Sequence, residues 1–270
     1  MSDAAKAFDP HRFETAVPYY ARHRLAYPGR LIARVVDETG LEPGDAVMDL
    51  GCGPGTLSIP FALAGMRVTA IDPEPSMLAA ARDAARAAGV AIDAREGSSF
   101  DLPAGIGPFR LVTMGRSFHW MDRAATLAAL DGVVTADGAL AFFDDDHPKT
   151  AENAWRQALR DLSDRYGRAE ASHILAEKAP DFRSRESLLL DSAFGDIEKF
   201  GVVVRHERDI EDIVGLALSL STSSIQALGE RRAEFERELR AILTGLSPSG
   251  RFVEIADMSV QVARRNRASS

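Results

Sequence analysis

Apolar positions in the first half of the chain come in short runs separated by stretches of helical spacing. Runs at 45–50, 67–71, 90–95, 109–114 and 139–143 are rich in Val, Ile, Leu, Met and Phe and predict strands. Between them, 57–64, the alanine-rich 75–88 closed by Gly89, and 123–134 ending near Asp137-Gly138 predict helices. Strand and helix in alternation mean a parallel sheet covered on both faces. Ligands then sit beyond the carboxyl ends of the strands. Asp49, Asp72, Ser98, Gly115 and Asp144 all fall at such ends.

After Asp146 the rhythm changes. Trp155, Leu159 and Leu162 lie at helical spacing within 151–166, while 168–192 is weakly patterned and charged. A strand is expected at 197–205, helices at 210–220 and 231–243, and a last strand at 252–262. No internal repeat or low-complexity linker divides the chain, so 1–270 reads as one domain.

The first strand opens onto Asp49-Leu50-Gly51-Cys52-Gly53-Pro54-Gly55, a glycine-rich turn leading into a helix. Glycine suits a backbone that must turn tightly and let a ligand approach without a Cβ in the way. Twenty-three positions on, Asp72 ends the second strand, where a carboxylate can take two ribose hydroxyls. The dinucleotide fingerprint G-x-G-x-x-G is not met, because Thr56 stands in place of its third glycine. Asp49 would also repel a pyrophosphate, yet suits a ligand carrying an ammonium or sulfonium group.

With these residues the chain resembles the class I S-adenosylmethionine-dependent methyltransferases, small-molecule branch (methyltransferase type 11 or ubiquinone-biosynthesis-like). The resemblance implies a Rossmann-like, seven-stranded, mostly parallel sheet with an antiparallel last strand, helices on both faces and a helical cap. It implies N-terminal lid helices over 10–40, a cofactor-binding core over 45–146, a cap insertion over 148–194, and sheet-completing elements over 195–270. S-adenosylmethionine would be held by Asp49, Gly51, Gly53, Gly55, Asp72, Pro73, Met77 and Gly115. The adenine would meet Ser98, Ser99 and Phe100, where relatives often place an acid and this chain has Ser98.

Ahead of the first strand stands Tyr19-Tyr20-Ala21-Arg22-His23-Arg24-Leu25-Ala26-Tyr27-Pro28. It resembles the segment that folds over the methionine end of the cofactor in this branch. Arg24 would pair with the α-carboxylate and Tyr20 would hydrogen-bond to it. Tyr27 would wall the methyl group, while Arg22 and His23 are expected at the surface. After the fourth strand, His119-Trp120 resembles a substrate-side motif. It makes His119, with an ordinary pKa near neutrality, the candidate catalytic group. Tyr27, Arg116, His119 and Trp120 are the candidate substrate contacts. Leu216–Ser221 and the serines after it loosely resemble a pocket-lining loop. Asp144-Asp145-Asp146-His147 reads as a solvated acidic loop, since neighbours on an extended chain point to opposite sides and no second ligand cluster accompanies it. No metal is expected.

Net charge is −8, and the one run of basic residues, Arg264-Arg265-Asn266-Arg267, reads as a frayed terminus. That balance argues against a nucleic-acid partner. A single cysteine excludes an intramolecular disulfide and fits a reducing compartment, and no stretch reaches the ~18 apolar residues of a membrane span. A soluble cytoplasmic enzyme with a small-molecule substrate is expected, a homodimer being open. The expected reaction is methyl transfer from S-adenosylmethionine to an O, N, S or C nucleophile by in-line displacement. Two alternatives stand beside it: a Rossmann-type NAD(P)-dependent oxidoreductase and a non-catalytic S-adenosylmethionine-binding protein.

Overall fold

The computed structural model describes residues 14–103, 105–166 and 182–266. His11, His173, Arg267 and residues 167–181 of the expected cap lie outside the described residues. A 3-10 turn (Glu14–Ala16) leads to α1 (Val17–His23) and α2 (Gly29–Thr39). The core then runs β1 (Ala46–Leu50), α3 (Ser58–Leu63), β2 (Arg67–Asp72), α4 (Pro75–Ala87), β3 (Asp93–Glu96), β4 (Phe109–Gly115), α5 (Arg123–Asp131) and β5 (Val134–Asp146). The remainder is α6 (Ala154–Tyr166), α7 (Arg185–Leu190), β6 (Asp196–Asp209), α8 (Ile210–Leu218), α9 (Ile225–Leu228), α10 (Arg232–Leu246) and β7 (Arg251–Arg264).

The strands form one seven-stranded sheet in the order β3-β2-β1-β4-β5-β7-β6. All neighbours among the first five are parallel, and β7 runs antiparallel between β5 and β6. Two apolar layers cover it. One joins Leu31, Val35 and Phe61 to Val47, Leu111 and Phe143. The other joins Leu127 and Leu130 to Met48, Val112 and Phe142. Local signals agree with these elements. Asp122 accepts a hydrogen bond from Ala125 N–H to cap α5, and Asp209 forms a capping box with Asp212 at α8. Gly40 ends α2 in the left-handed region at φ 60°.

The cap is composed differently from the expectation. The β6–β7 pairing runs from Asp196↔Arg264 to Asp209↔Arg251, but β5 stops at Asp146↔Asp257. The hairpin therefore overhangs the carboxyl edge of the sheet. Its apolar side is buried by α6, α8, α9 and α10 in one cluster that includes Trp155, Leu159, Ile213, Leu228 and Phe235. The Asn153 amide bonds Ile255 through both its N–H and its carbonyl oxygen, standing in for a strand neighbour where β5 has ended. By contrast α7, placed in the cap by sequence, sets Leu189 against the sheet beside Phe194 and Leu127.

Three surface expectations are corrected. Arg264 lies in β7 and pairs with Glu198 at 2.9 Å, and Arg265 donates to the Thr135 carbonyl at 3.1 Å, so the basic run is pinned as far as Asn266. The acidic tripeptide is the end of β5: Asp144 pairs with Arg185 and Asp145 with Arg116. His23 is covered by α8 and lies 3.4 Å from Asp212. Arg110, for which the sequence offered no role, joins Asp45, Asp137 and the carbonyls of Thr39 and Gly40 at the amino edge of the sheet.

Candidate active site

The glycine turn owes its shape to two carboxylates. Asp49 is buried, accepting from Ser58 Oγ at 2.6 Å and Thr113 Oγ1 at 3.1 Å. Asp72 accepts from Gly53 N–H at 2.8 Å and Glu74 N–H at 3.0 Å, which clasps the turn after β1 to the end of β2. Burial pushes each carboxyl up to about 6, against the hydrogen bonds that favour the ionised form. The three glycines have positive φ, 72° at Gly51, 54° at Gly53 and 87° at Gly55. At Gly51 an added Cβ would sit 2.6 Å from Ser117 Cβ, while at Gly53 it would meet only Met77 Sδ at 4.0 Å. The backbone is therefore open to a ligand at Gly53 and closed against the β4 loop at Gly51. Burial also raises the Cys52 thiol, which fits a small space-filler and not a reactive thiolate.

Over this floor lies α1. Tyr20, Tyr27, Gly115, Thr56 and Leu57 line a cleft above the turn of only ≈ 20 Å³. Cofactor pockets run to hundreds of cubic ångströms, so the cleft in this conformation is smaller than a nucleoside needs. Arg24 leaves the end of α1, stacks 5.2 Å from the Tyr20 ring and donates to Ser219 Oγ at 3.1 Å, joining the lid to the loop after α8. Tyr27 presents its ring to the cleft, while its hydroxyl donates to the Phe143 carbonyl at 3.1 Å. Burial raises that phenol's pKa, so it stays neutral.

The remaining predicted residues divide. Pro73 and the buried Met77 follow Asp72 on the floor. Ser98 accepts from Phe100 N–H at 3.2 Å, which uses its hydroxyl to shape its own turn, with Ser99 half-buried between them. Phe100 is 52% exposed beyond the end of β3. His119 and Trp120 share a 3-10 turn with rings 4.9 Å apart, His119 exposed and Trp120 half-buried. The turn is anchored by Phe118, edge-on to Phe142. Arg116 is 10% exposed, 4.9 Å over the Tyr27 ring and 3.4 Å from Asp145.

Sequence reasoning missed Ser58, Thr113, Ser117 and Asp145, while Ser219 falls in the Leu216–Ser221 stretch it singled out. Ser117 Oγ donates to the Leu50 carbonyl at 2.8 Å and thereby holds the β4 loop against the glycine turn. Nothing in the local pattern marks a hydroxyl whose partner is 67 positions away. For Asp145 a signal existed: its face of β5 continues Ala141 and Phe143, which are core residues.

Comparison with known proteins adds to this geometry. Residues 47–138 match the family model of a methyltransferase domain. Over these residues the chain is similar to a methyltransferase domain. An uncharacterised methyltransferase of Mycobacterium tuberculosis is 30% identical over 128 residues, 47% of this chain and 49% of that protein. Aligned stretches span between 31% and 49% of the length of such curated relatives. Among solved structures, a putative type II methyltransferase from Anaeromyxobacter dehalogenans superposes with a TM-score of 0.62 at 18% identity, covering 90% of this chain and 97% of that one. A methyltransferase from Geobacter sulfurreducens, solved with S-adenosyl-L-homocysteine, gives a TM-score of 0.54 at 18% identity over 94% of this chain and 98% of that one. These two likenesses establish the fold. The matched stretch runs from β1 to the early part of β5 and contains both carboxylates and the glycine turn.

Proposed function

We propose that this chain transfers a methyl group from S-adenosylmethionine to an O, N, S or C nucleophile of a small molecule by in-line displacement. The observation that carries it is the Asp49–Gly55 turn clasped to Asp72 beneath α1, within a methyltransferase domain. The donor set suits the cofactor. Asp72 is fixed by two backbone N–H groups and keeps lone pairs for ribose hydroxyls. Gly53 leaves room above the turn, Phe100 offers a stacking face for adenine, and Arg24 with Tyr20 suits an α-carboxylate. When bound, S-adenosylmethionine supplies an electrophilic methyl on a sulfonium centre, so the protein has mainly to align the acceptor. Alignment alone is worth roughly 7–11 kcal/mol. Closure of α1 excludes water, and Tyr27 walls the reacting face.

His119 is proposed to take the proton of the acceptor. A general base adds about 10²–10⁴-fold, so His119→Gln should lower kcat by that order with KM little changed; unchanged kcat would remove the role. An acceptor of low molecular weight agrees with the net charge of −8, which opposes a polyanion. The lone cysteine agrees with a reducing cytoplasm. An NAD(P) site is disfavoured by Asp49 and by Thr56 in place of the third glycine. The deciding experiment is isothermal titration with S-adenosylhomocysteine, where micromolar binding is expected and its absence rejects the proposal.

A further inference from the structure

Behind α1, four guanidinium groups meet two carboxylates in one cluster: Arg24, Arg116, Arg156 and Arg208 face Asp145 and Glu254. Arg208 and Glu254 are 2% and 1% exposed, and the others half-buried or nearly buried. Asp144 is answered by Arg185, and Asp212 lies 3.4 Å from His23, whose pKa burial lowers. Counting Asp212, four guanidinium groups face three carboxylates. Charge taken out of water without a counter-charge is costly. Against the cost of burial, Tyr20, Tyr27 and Asp145 raise the pKa of the Arg116 guanidinium. Burial lowers Arg156 to about 10 and lowers Arg24, while Asp145, despite its burial, is held below the usual carboxylate range by Arg116 and Arg24.

Arg116 is nearly buried, with 10% of its side chain exposed. Its Nε and Nη1 are buried with no hydrogen-bond partner among the described residues, and Asp145 lies 3.4 Å from Nη1. Its backbone, at φ 56°, is the one described non-glycine residue in the left-handed region. Strain and unmet donors on one residue at a strand's carboxyl end indicate a function. Next to this cluster, sharing Arg156, is a cavity of ≈ 280 Å³ lined by His147, Lys149, Arg156 and Arg160, with no Asp or Glu in its wall.

On the cofactor reading given above, Arg24 answers the α-carboxylate. We propose that Arg116 answers the acceptor: the substrate is a small organic acid whose carboxylate is received by the buried Nε and Nη1 of Arg116. Neutral acceptors of the same shape then leave these two donors without an acceptor and are rejected.

The cofactor is tested separately, by titration of the wild type with S-adenosylhomocysteine; failure there removes the methyltransferase reading and not the charge argument. The complex is then titrated with acetate, succinate and benzoate, each against its amide. At least one acid should bind, its amide about tenfold more weakly or less. Arg116→Asn, whose new side chain tolerates positive φ, should abolish acid binding and leave the Kd for S-adenosylhomocysteine within about threefold. Loss of S-adenosylhomocysteine binding in Arg116→Asn would assign Arg116 to the cofactor and overturn the proposal. Equal binding of acid and amide, or no acid binding, would overturn it too.

Discussion

At the scale of single residues, the site is set by groups held away from their ordinary chemistry. Asp49 and Asp72 are buried carboxyls with pKa about 6, above the unfolded value of 3.8. A raised pKa means that the folded state binds the proton more tightly. The contribution to stability is therefore full below pH 3.8 and is lost as pH rises through about 6. A rise of about two units corresponds to ~3 kcal/mol for each group, as an order of magnitude. Asp72→Asn cannot ionise, so its melting temperature should gain on the wild type between pH 4 and pH 7. A pH-independent difference in calorimetry would show that Asp72 titrates normally. On the proposed role of Asp72, ligand binding has the opposite dependence, because ribose hydroxyls would donate to the ionised form. Affinity for S-adenosylhomocysteine should fall below pH about 6. Hydrogen bonds to a charged group are worth about 1.5–3 kcal/mol, so Asp72→Asn should weaken binding roughly 10- to 150-fold at pH 7.5.

Elements matter through how closely they approach. The lid α1 rests on α8 at Gly215, where a Cβ would lie 2.3 Å from the His23 ring. That contact lets α1 shut the cleft above the glycine turn. Gly215→Ala sits on an exposed-to-lid face of a helix that favours alanine, so the substitution should tilt α1 outward without unfolding α8. Stopped-flow measurement should then find faster association and faster dissociation of S-adenosylhomocysteine. Wild-type rates in the variant would show that α1 is not the gate. The element boundaries were legible in part: Gly89 closed α4, but the stop expected for the next helix at Asp137-Gly138 lies inside β5, and α5 ends at Asp131. The contact of His23 with Gly215 was not, since it joins residues nearly two hundred positions apart and neither carries a local signal.

For the whole molecule, the overhanging β6–β7 hairpin creates a second apolar cluster beside the sheet, and Trp155 sits in it, buried and donating to the Val253 carbonyl at 2.9 Å. The other tryptophan, Trp120, lies half-buried on the β4 loop next to His119. With two tryptophans in the chain, fluorescence separates the two regions. Ligand binding should change the emission of the wild type, and Trp120→Phe should lose that change while keeping the blue-shifted emission of Trp155. A ligand response that survives in Trp120→Phe would place the movement in the cap.

The alternation of apolar runs and helical stretches determined the parallel core, because a strand buried on both faces must read as a continuous apolar run. The acid, glycine and acid signature determined the ligand floor, since turn geometry and hydrogen bonding there depend on residues close in sequence. Tertiary structure decided what depends on distant partners. The chain did not reveal that α7 serves the sheet while α8, α9 and α10 serve the cap, because amphipathic helices record that they bury a face and not which neighbour buries it. Nor did composition reveal the cationic cluster: a chain with net charge −8 can still gather four arginines around two acids once strands and helices bring them together.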